Sequence, residues 1–396
     1  MPEGGLDLDA ELRADLARID QAGLTRRLTS IDTAPDAEVT IAGERFVLLS
    51  SNNYLGLASH PSLKEAAHAA IEIYGAGTGS SRLIAGHFEL HAEVETRLAA
   101  FKRTEAALLF PSGYQANLGV ITALVGSGDH VFSDELNHAS IIDGCRLSRA
   151  TVHVYPHGDV RTLETAIARI PPGGRRLIVS DSIFSMDGDR APLAELVEIA
   201  DHYHSILMVD EAHATGVLGP HGAGLVDAMG LHDRVPVQMG TLGKALGSAG
   251  AYIAGSRMLI DLLINRARSF IFTTGLAPAS VAATGAALDV VAAEPERRAA
   301  LLANAAHLRR GLDALGVPVG GDTHILPIVL GDNARTVAFA AALRRRGVLV
   351  HPIRPPTVPP GTARLRVTPM ATHTRAQLDH VLDAFATTAH ELGCGR

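Results

Sequence analysis

The stretch ILMVDEAH, residues 206–213, joins a short apolar run to polar residues that can bind a ligand. Apolar side chains fill positions 206–209, Asp210 and Glu211 follow at once, and His213 comes three residues after Asp210. Open α/β sheets bind their ligands at the carboxyl ends of parallel strands. The stretch therefore predicts a strand with a functional acid at its end, although an acid that only caps the following turn fits the same residues.

Further short apolar runs are bounded by Gly, Asp or Pro and predict buried strands. They are Ala106–Phe110, Thr151–Tyr155, 177–179, 235–239 and 251–254. Helical patterns separate several of these runs, which predicts an α/β fold with a mainly parallel sheet between helices. We expect an N-terminal helical and extended segment at 1–60, a large domain at 61–290 and a smaller C-terminal α/β domain at 291–396.

Composition excludes several classes of protein. The 396 residues include 42 acidic and 35 basic ones, a net charge of −7, so no basic surface for a nucleic acid is predicted. Cys145 and Cys394 belong to no short-spaced motif, which argues against a disulfide framework or a thiolate metal site. Residues 1–20 lack the pattern of a secretory signal, and the apolar stretch 276–293 carries Asp289. We expect a cytoplasmic protein in which this stretch is a buried helix.

The lysines of this chain are few enough to be informative. Only Lys64, Lys102 and Lys244 occur among the 35 basic residues. Arginine cannot form an imine, whereas a lysine amine of lowered pKa can. Lys64 and Lys102 fall on predicted amphipathic helices among charged residues. Lys244 instead lies between glycines in TLGKALG, residues 241–247, directly after a predicted strand. We expect Lys244 to be a nucleophile.

A third segment, FPSGYQAN at 110–117, follows a predicted strand and opens a predicted helix. Its free backbone N–H groups and the helix dipole suit a phosphate, although a turn that needs Gly113 only for its backbone angles fits as well. A phosphate turn, a strand-end acid and a glycine-flanked lysine, in that order on an α/β fold, predict a pyridoxal phosphate site. In such a site Asp210 would keep the pyridine nitrogen protonated and Lys244 would bond the aldehyde.

Two other motifs carry weaker signals. GAGTG at 75–79 follows a predicted helix, whereas a dinucleotide-binding fingerprint must follow a strand. His87 and His91 have a spacing used by zinc sites, but they flank an apolar stripe without an HExxH pattern, so we expect packed histidines and no metal. A nicotinamide-dependent dehydrogenase and a non-catalytic scaffold remain as alternatives from other classes.

From about residue 52 to the C-terminus, the chain resembles the α-oxoamine synthases, which are pyridoxal phosphate (PLP) enzymes of the aspartate aminotransferase fold. The matching segments are NYLGL (53–57), FPSGYQAN (110–117), NHAS (137–140), FSMDGD (184–189), DEAH (210–213), TLGKALG (241–247), FIFTTG (270–275) and PPTVPPGTARLRVTP (355–369). The resemblance implies a fold type I PLP transferase that joins an amino acid to an acyl thioester with loss of carbon dioxide.

The resemblance also implies a role for individual residues. Lys244 would hold the cofactor as an imine, Asp210 would bond its pyridine nitrogen, and His138 would stack on its ring. Ser185 and His213 would contact its phenolic oxygen. The backbone of Gly113 and Tyr114, with Thr241, would bind its phosphate, and Thr273 and Thr274 would reach the phosphate of a neighbouring subunit. Asn53 and Arg366 would bind the amino-acid carboxylate. A homodimer with shared active sites is therefore expected.

Three residues bear on the choice of substrates. Arg26 and Thr357 resemble those of family members that use L-alanine and a pimeloyl thioester of coenzyme A or a carrier protein, and Arg26 would pair with the distal carboxylate. An exposed arginine without that role fits equally. Ser81 leaves room for the methyl group of alanine where glycine-using members have the bulkier threonine. The loop GTGSSR replaces the usual GSGGSR, so members that use glycine with acetyl-CoA, or serine with a long acyl chain, stay open.

Overall fold

The helices and strands occupy most of residues 7–171 and 173–393, which are the residues described by the computed structural model. The strands are β1 (Glu38–Ile41), β2 (Glu44–Leu48), β3 (Ala106–Phe110), β4 (His130–Asp134), β5 (Thr151–Tyr155), β6 (Arg176–Asp181), β7 (Ile206–Asp210), β8 (Val237–Thr241), β9 (Ala251–Gly255), β10 (Leu326–Gly331), β11 (Val348–Leu349), β12 (Pro352–Ile353) and β13 (Ala363–Val367). The helices are α1 (Leu8–Gln21), α2 (Pro61–Tyr74), α3 (Glu89–Lys102), α4 (Gly113–Leu124), α5 (Ala139–Ser148), α6 (Val160–Ala168), α7 (Leu193–His202), α8 (Leu225–Ala228), α9 (Arg257–Arg266), α10 (Arg268–Ile271), α11 (Pro278–Ala293), α12 (Glu296–Ala314), α13 (Asn333–Arg344) and α14 (Arg375–Glu391).

A seven-stranded sheet has the order β3-β9-β8-β7-β6-β4-β5. The five strands from β8 to β5 are parallel to one another, and β9 is antiparallel to both β3 and β8. Side chains alternate between its two faces: Leu108 and Val179 belong to a buried cluster with α4, whereas Leu109 belongs to one with α3 and α11. The predicted α/β fold with a mainly parallel sheet is confirmed.

Several element boundaries differ from the prediction. Strand β4 was not predicted, because its two apolar residues, Val131 and Phe132, are flanked by polar ones. Strand β8 begins at Val237, directly after Pro236, which has no N–H for a sheet hydrogen bond. The apolar residues at 348–353 form two short strands, β11 and β12, which pair with β2 and β13 respectively.

Two three-stranded sheets involve strands from the C-terminal part of the chain. Strands β10, β13 and β12 form an antiparallel sheet, and β11 joins β1 and β2, so the N-terminal strands pair with the C-terminal part. Val47 and Leu49 accordingly share a buried apolar cluster with Leu326, Phe339 and Phe385. The division into three segments at 1–60, 61–290 and 291–396 stays a prediction.

The apolar stretch near residue 276 forms α11, most of whose side chains are buried. It packs against α2 and α3. In the part of the chain that the structure describes, no helix has both the length and the apolar character needed to cross a membrane.

Lys102, which the sequence placed among charged surface residues, is instead completely buried. Helix α3 directs its ammonium group to the Glu211 carboxylate and to the carbonyl oxygen of Ala223. Glu211 also accepts a hydrogen bond of 2.9 Å from the backbone N–H of Val226. Burial alone would lower the pKa of Lys102, but the charge and hydrogen bond of Glu211, together with the charges of Tyr252 and Asp227, outweigh burial and hold that pKa above its ordinary value. The pair therefore ties α3 to the segment that follows β7.

Replacing Lys102 by methionine should destabilise the protein by about 3–5 kcal/mol, because the Glu211 carboxylate is left buried without its counter-charge. Urea denaturation followed by circular dichroism measures this loss. The double variant K102M/E211Q is the control, since it removes the unpaired charge as well. It should recover at least half of the stability, and a double variant as unstable as K102M would contradict the electrostatic explanation.

Candidate active site

Asp210 lies where strand β7 ends, at the carboxyl edge of the parallel strands. Its side chain is 3% exposed and accepts two hydrogen bonds, 2.9 Å from the backbone N–H of Ala212 and 2.8 Å from Nδ2 of Asn117. Asn117 projects from α4 and also donates to Oγ of Ser140 at 2.9 Å. The predicted strand-end acid is therefore held in one orientation by a helix on one face of the sheet.

A second buried acid, Asp181, lies beside Asp210 and was missed by the sequence analysis. The two residues end neighbouring strands and are paired in register, and Asp181 accepts a hydrogen bond of 2.8 Å from the backbone N–H of His138. Burial, and then the charge of Asp210, raise the pKa of Asp181 well above its ordinary value. Asp181 is therefore easier to protonate than an ordinary aspartate, and it places a second buried carboxyl group beside Asp210. An acid two residues after the predicted strand 177–179 was the signal that could have found it.

Four buried or half-buried side chains form one hydrogen-bonded row. Nζ of Lys244 lies 3.0 Å from Nε2 of His213, whose Nδ1 lies 2.7 Å from the hydroxyl of Tyr54. That hydroxyl accepts a hydrogen bond of 3.0 Å from Nη2 of Arg366. Tyr54 belongs to NYLGL, where the sequence assigned no role to it. The row links the loop after β8 to strand β13.

Burial controls the charge state of this row. It lowers the pKa of Lys244 to about 8, although the nearby carboxylates of Asp210 and Asp181 partly offset it. Burial, followed by the charge of Lys244, also lowers the pKa of His213 well below its ordinary value. Lys244 thus presents a substantial fraction of free amine close to neutral pH, which is the form that attacks a carbonyl group or accepts a proton.

Arg366 is a buried cation aimed at an anionic ligand. Its Nε donates to the carbonyl oxygen of Ser185 at 2.5 Å and its Nη1 donates to Oδ1 of Asn52 at 3.0 Å. With the bond to Tyr54, three of its five N–H groups are used, which leaves one on each terminal nitrogen. Among the described residues no carboxylate pairs with Arg366, so this fork suits the carboxylate of a bound molecule.

The neighbour of Arg366 is Asn52, whereas Asn53, to which the sequence analysis assigned contact with the amino-acid carboxylate, makes other contacts. The side chain of Asn53 donates to the carbonyl oxygen of Pro35 at 3.0 Å and accepts from the backbone N–H of Ala58 at 3.1 Å. Both ends of its amide are therefore used to hold local backbone. The sequence contains two consecutive asparagines, and only the fold shows which side chain faces the site.

The predicted phosphate turn has the shape of an anion cradle. Gly113 is the first residue of α4, and a Cβ atom at this position would lie 2.8 Å from Cγ2 of Thr241 and 3.0 Å from Cε of Met239. The absence of a side chain thus lets the end of β8 approach the N-terminus of α4, where backbone N–H groups are free. The side chain of Tyr114 is exposed and bonds Asp143. Its backbone N–H lies in the first turn of α4, where it can bind an anion.

These features fit PLP. The narrow turn at Gly113 and Thr241 suits a phosphate, Asp210 suits a protonated pyridine nitrogen, and the amine of Lys244 suits an aldehyde. His138 begins α5 as its N-cap, with Nδ1 accepting from the backbone N–H of Ser140 at 3.3 Å, and lies close enough to Asp210 and Lys244 to be influenced by both charges. The contacts predicted between each residue and the cofactor stay predictions.

Two groups of predicted residues lie outside this cluster. Thr274 pairs with Ser81 in a short antiparallel bridge, and Thr273 accepts a hydrogen bond of 3.3 Å from Nε2 of Gln115 on α4. Arg26 donates to the carbonyl oxygen of Pro355 at 3.0 Å, two residues before Thr357. Arg366 also borders a cavity of about 500 Å³. It is lined by Thr29, Ile31, Pro35, Leu48, Ser50, Ser51, Met186, Leu349, His351, Ile353 and Arg366.

The motifs that the sequence analysis set aside have local roles. Helix α2 ends at Tyr74, and Gly75 caps it with a φ of +77°. His91 is buried and bonded to the carbonyl oxygen of Leu276, while His87 accepts from Arg82. In residues 7–171 and 173–393 no group of three or more His, Cys, Asp or Glu side chains has the geometry of a metal site. Cys145 is a buried free thiol, and Cys394 lies outside the described residues.

Comparison with known proteins gives the class first. Residues 44–385 match the family of class I and II aminotransferases, and the chain belongs to that family. It is 53% identical over 393 residues to the 8-amino-7-oxononanoate synthase of Anaeromyxobacter dehalogenans strain 2CP-1, covering 99% of this chain and 98% of that one.

Two solved structures are similar over most of the chain. A serine palmitoyltransferase from S. paucimobilis with bound PLP has a TM-score of 0.92 and 34% identity, covering 98% of this chain and 100% of that one. An 8-amino-7-oxononanoate synthase from Francisella tularensis has a TM-score of 0.76 and 28% identity, covering 87% and 98% respectively. The predicted relationship to PLP enzymes of the aspartate aminotransferase fold is confirmed.

Replacing Gly113 by alanine should weaken PLP binding about tenfold, because the added methyl group enters the space occupied by Cγ2 of Thr241. Equilibrium titration of the apoprotein with PLP, followed by visible absorbance, measures the dissociation constant. The matched variant G113A/T241S removes Cγ2 but keeps the hydroxyl group, and it should recover part of the affinity. Equal affinities of G113A and the unaltered protein would show that the cradle is looser than the geometry indicates.

Proposed function

We propose that the protein condenses L-alanine with a pimeloyl thioester to give 8-amino-7-oxononanoate, with release of the thiol and carbon dioxide, as a step of biotin biosynthesis. The observation that carries the proposal is the row from Lys244 to Arg366, which places a reactive amine and an unpaired guanidinium in one buried site. The 53% identity to an 8-amino-7-oxononanoate synthase over nearly the whole chain supports the choice of substrates.

The cofactor supplies an electron-withdrawing ring that stabilises negative charge on the α-carbon of the amino acid. The chain would hold it at three points. Asp210, oriented by its bonds to Asn117 and Ala212, would retain the proton on the pyridine nitrogen. Gly113, Tyr114 and Thr241 would bind the phosphate. Ser185 and His213 would contact the phenolic oxygen, and His138 would cover the ring.

Proton transfer at the α-carbon falls to Lys244. Its pKa of about 8 gives it enough free base at neutral pH to remove a proton and enough acid to return one. Arg366 would bind the substrate carboxylate through its two free N–H groups, and this contact would set the direction of the C–H bond at the α-carbon. Asn52 and Tyr54 orient the guanidinium. His138 would assist the later loss of carbon dioxide.

The acyl chain requires an apolar space next to Arg366, and the 500 Å³ cavity offers one. The α-carbon would attack the thioester carbonyl, the C–S bond would break and the thiol would leave. The β-keto acid would then lose its carboxyl group as carbon dioxide. Arg26 would pair with the distal carboxylate of the pimeloyl chain, with Thr357 beside it and Ser81 next to the methyl group of alanine.

The reaction is tested by supplying L-alanine or glycine with pimeloyl-CoA or acetyl-CoA to the PLP-loaded protein. We expect equal amounts of coenzyme A and carbon dioxide, 8-amino-7-oxononanoate by mass spectrometry, and kcat/KM at least about tenfold higher for L-alanine than for glycine. K244A should lose turnover. A preference for glycine with acetyl-CoA, or for serine with a long-chain acyl-CoA, would reassign the protein within the family.

We also propose a homodimer with shared active sites in the cytoplasm, where thioesters of coenzyme A are made. Apolar side chains on one stripe of α1 (Leu8, Leu12, Leu16 and Ile19) are exposed in the single chain, and so are Ile84 and Phe272. Exposed apolar side chains in such numbers are typical of a surface that is covered by another chain. Phe272 directly precedes Thr273 and Thr274, which would reach the phosphate of the other subunit.

Shared sites are tested by complementation between two inactive variants. K244A and T273A/T274A are co-expressed with different tags, and the mixed dimer is purified through both tags. If the threonines serve the partner's site, one site of the mixed dimer carries both defects and the other carries none, so activity returns to about half that of the unaltered dimer. A mixed dimer that remains inactive would place the threonines in their own subunit's site.

A further inference from the structure

His157 makes two contacts that no step of the proposed reaction uses. It lies in the loop after β5, with Nδ1 at 3.0 and 3.2 Å from the two carboxylate oxygens of Asp134 and Nε2 at 2.7 Å from Oδ2 of Asp189. Asp134 ends strand β4 and is 2% exposed. An ionised carboxylate accepts hydrogen bonds and cannot donate them. An imidazole ring that bonds a carboxylate through each of its two nitrogens must therefore carry hydrogen on both. His157 is therefore a cation held between two anions.

Asp189 belongs to a short loop, residues 184–189, which is closed on itself. The backbone N–H of Phe184 donates to the carbonyl oxygen of Asp189 at 3.0 Å, and that of Gly188 donates to Phe184 at 2.8 Å. The ring of Phe184 meets His157 edge-on, with centroids 4.3 Å apart. His157 thus fixes both ends of this 184–189 loop against the large sheet.

The opposite side of the 184–189 loop holds the C-terminal part of the chain. The carbonyl oxygen of Ser185 accepts from Arg366, and Met186 and Asp187 accept from Arg364. The carbonyl oxygen of Gly188 accepts three hydrogen bonds, from the backbone N–H groups of 322 and 323 and from Oγ1 of Thr323. A displacement of this loop would therefore be transmitted directly to the guanidinium of Arg366.

We propose that His157 is a positioning residue for the active site: by bridging Asp134 and Asp189 it fixes the 184–189 loop, and the loop in turn fixes Arg366. This inference rests on the proposed function only in assigning Arg366 to the substrate carboxylate. The bridge itself is a property of the chain without cofactor or substrate.

Charge gives the bridge a defined pH range. The hydrogen bonds to Asp134 and then Asp189 raise the pKa of His157 from 6.5 to about 10. Glu135, whose carboxylate accepts from the backbone N–H of His157, is a third acid at this position. Because the folded pKa exceeds the ordinary one, the stabilisation is complete below about pH 6.5 and is lost as the pH rises through about 10.

The test compares H157Q with H153Q, a matched control on the same strand region. His153 contacts Phe132 and His130 and makes no contact with the 184–189 loop in the hydrogen bonds and ring pairs described. Hydrogen–deuterium exchange of the peptide 182–190 in the apoprotein should be about tenfold faster in H157Q and unchanged in H153Q. In steady-state assays, H157Q should raise KM for L-alanine about tenfold and change kcat less than about threefold, since binding is lost through Arg366.

A second variant and a pH series keep the interpretation unambiguous. D189N, at a carboxylate that is 37% exposed, should reproduce the KM effect if H157Q does not fold. The difference in melting temperature between the unaltered protein and H157Q should shrink between pH 8 and pH 10.5. Unchanged exchange and KM in both variants would overturn the proposal, as would equal effects in H153Q. If the unaltered protein fails to turn over L-alanine, the proposed function falls, while the exchange data still decide whether His157 fixes the loop.

Discussion

The carboxyl edge of the parallel strands is the constraint on which the rest of the site depends. Strands β6, β7 and β8 end side by side, so Asp181 is paired with Asp210, and Thr241 lies two residues beyond the partner of Asp210 on β8, although the three are far apart in sequence. Helices start at the same edge, which brings their free N–H groups and the side chain of Asn117 to the acids. The site is therefore built from chain ends that a parallel sheet must collect in one place.

Charge is distributed unevenly across this edge, and that distribution produces the chemistry. Asn117 and Ala212 donate hydrogen bonds to Asp210, while burial and the charge of Asp210 raise the pKa of its neighbour Asp181. On the other side, burial and the cation of Arg366 push the amine of Lys244 towards its free base. A hydrogen-bonded acid beside an amine of lowered pKa is the pairing that an imine-forming, proton-transferring site requires.

Two sets of ion pairs outside the site stabilise the segments that carry its residues. The Lys102–Glu211 pair holds the segment after β7, and the His157 bridge holds the loop that carries Ser185. Both are buried or half-buried ion pairs at the ends of central strands. The His157 bridge also connects the sheet to the 184–189 loop, which accepts hydrogen bonds from Arg364 and Arg366 of the C-terminal part of the chain. The two halves of the active site are thus joined by electrostatic contacts as well as by apolar packing.

The sequence by itself determined the alternation of strands and helices, the strand-end acid Asp210, the phosphate turn at Gly113 and the reactive Lys244. These are local signals, since each depends on residues close together in the chain, such as a glycine-flanked lysine after an apolar run. Only the tertiary structure decided that Asn52 rather than Asn53 faces Arg366, that Lys102 is buried, and that Asp181 and Tyr54 belong to the site. Each of these depends on which way a side chain points and on partners more than a hundred residues away for Lys102 and Tyr54, and such long-range contacts leave no periodic pattern in the sequence.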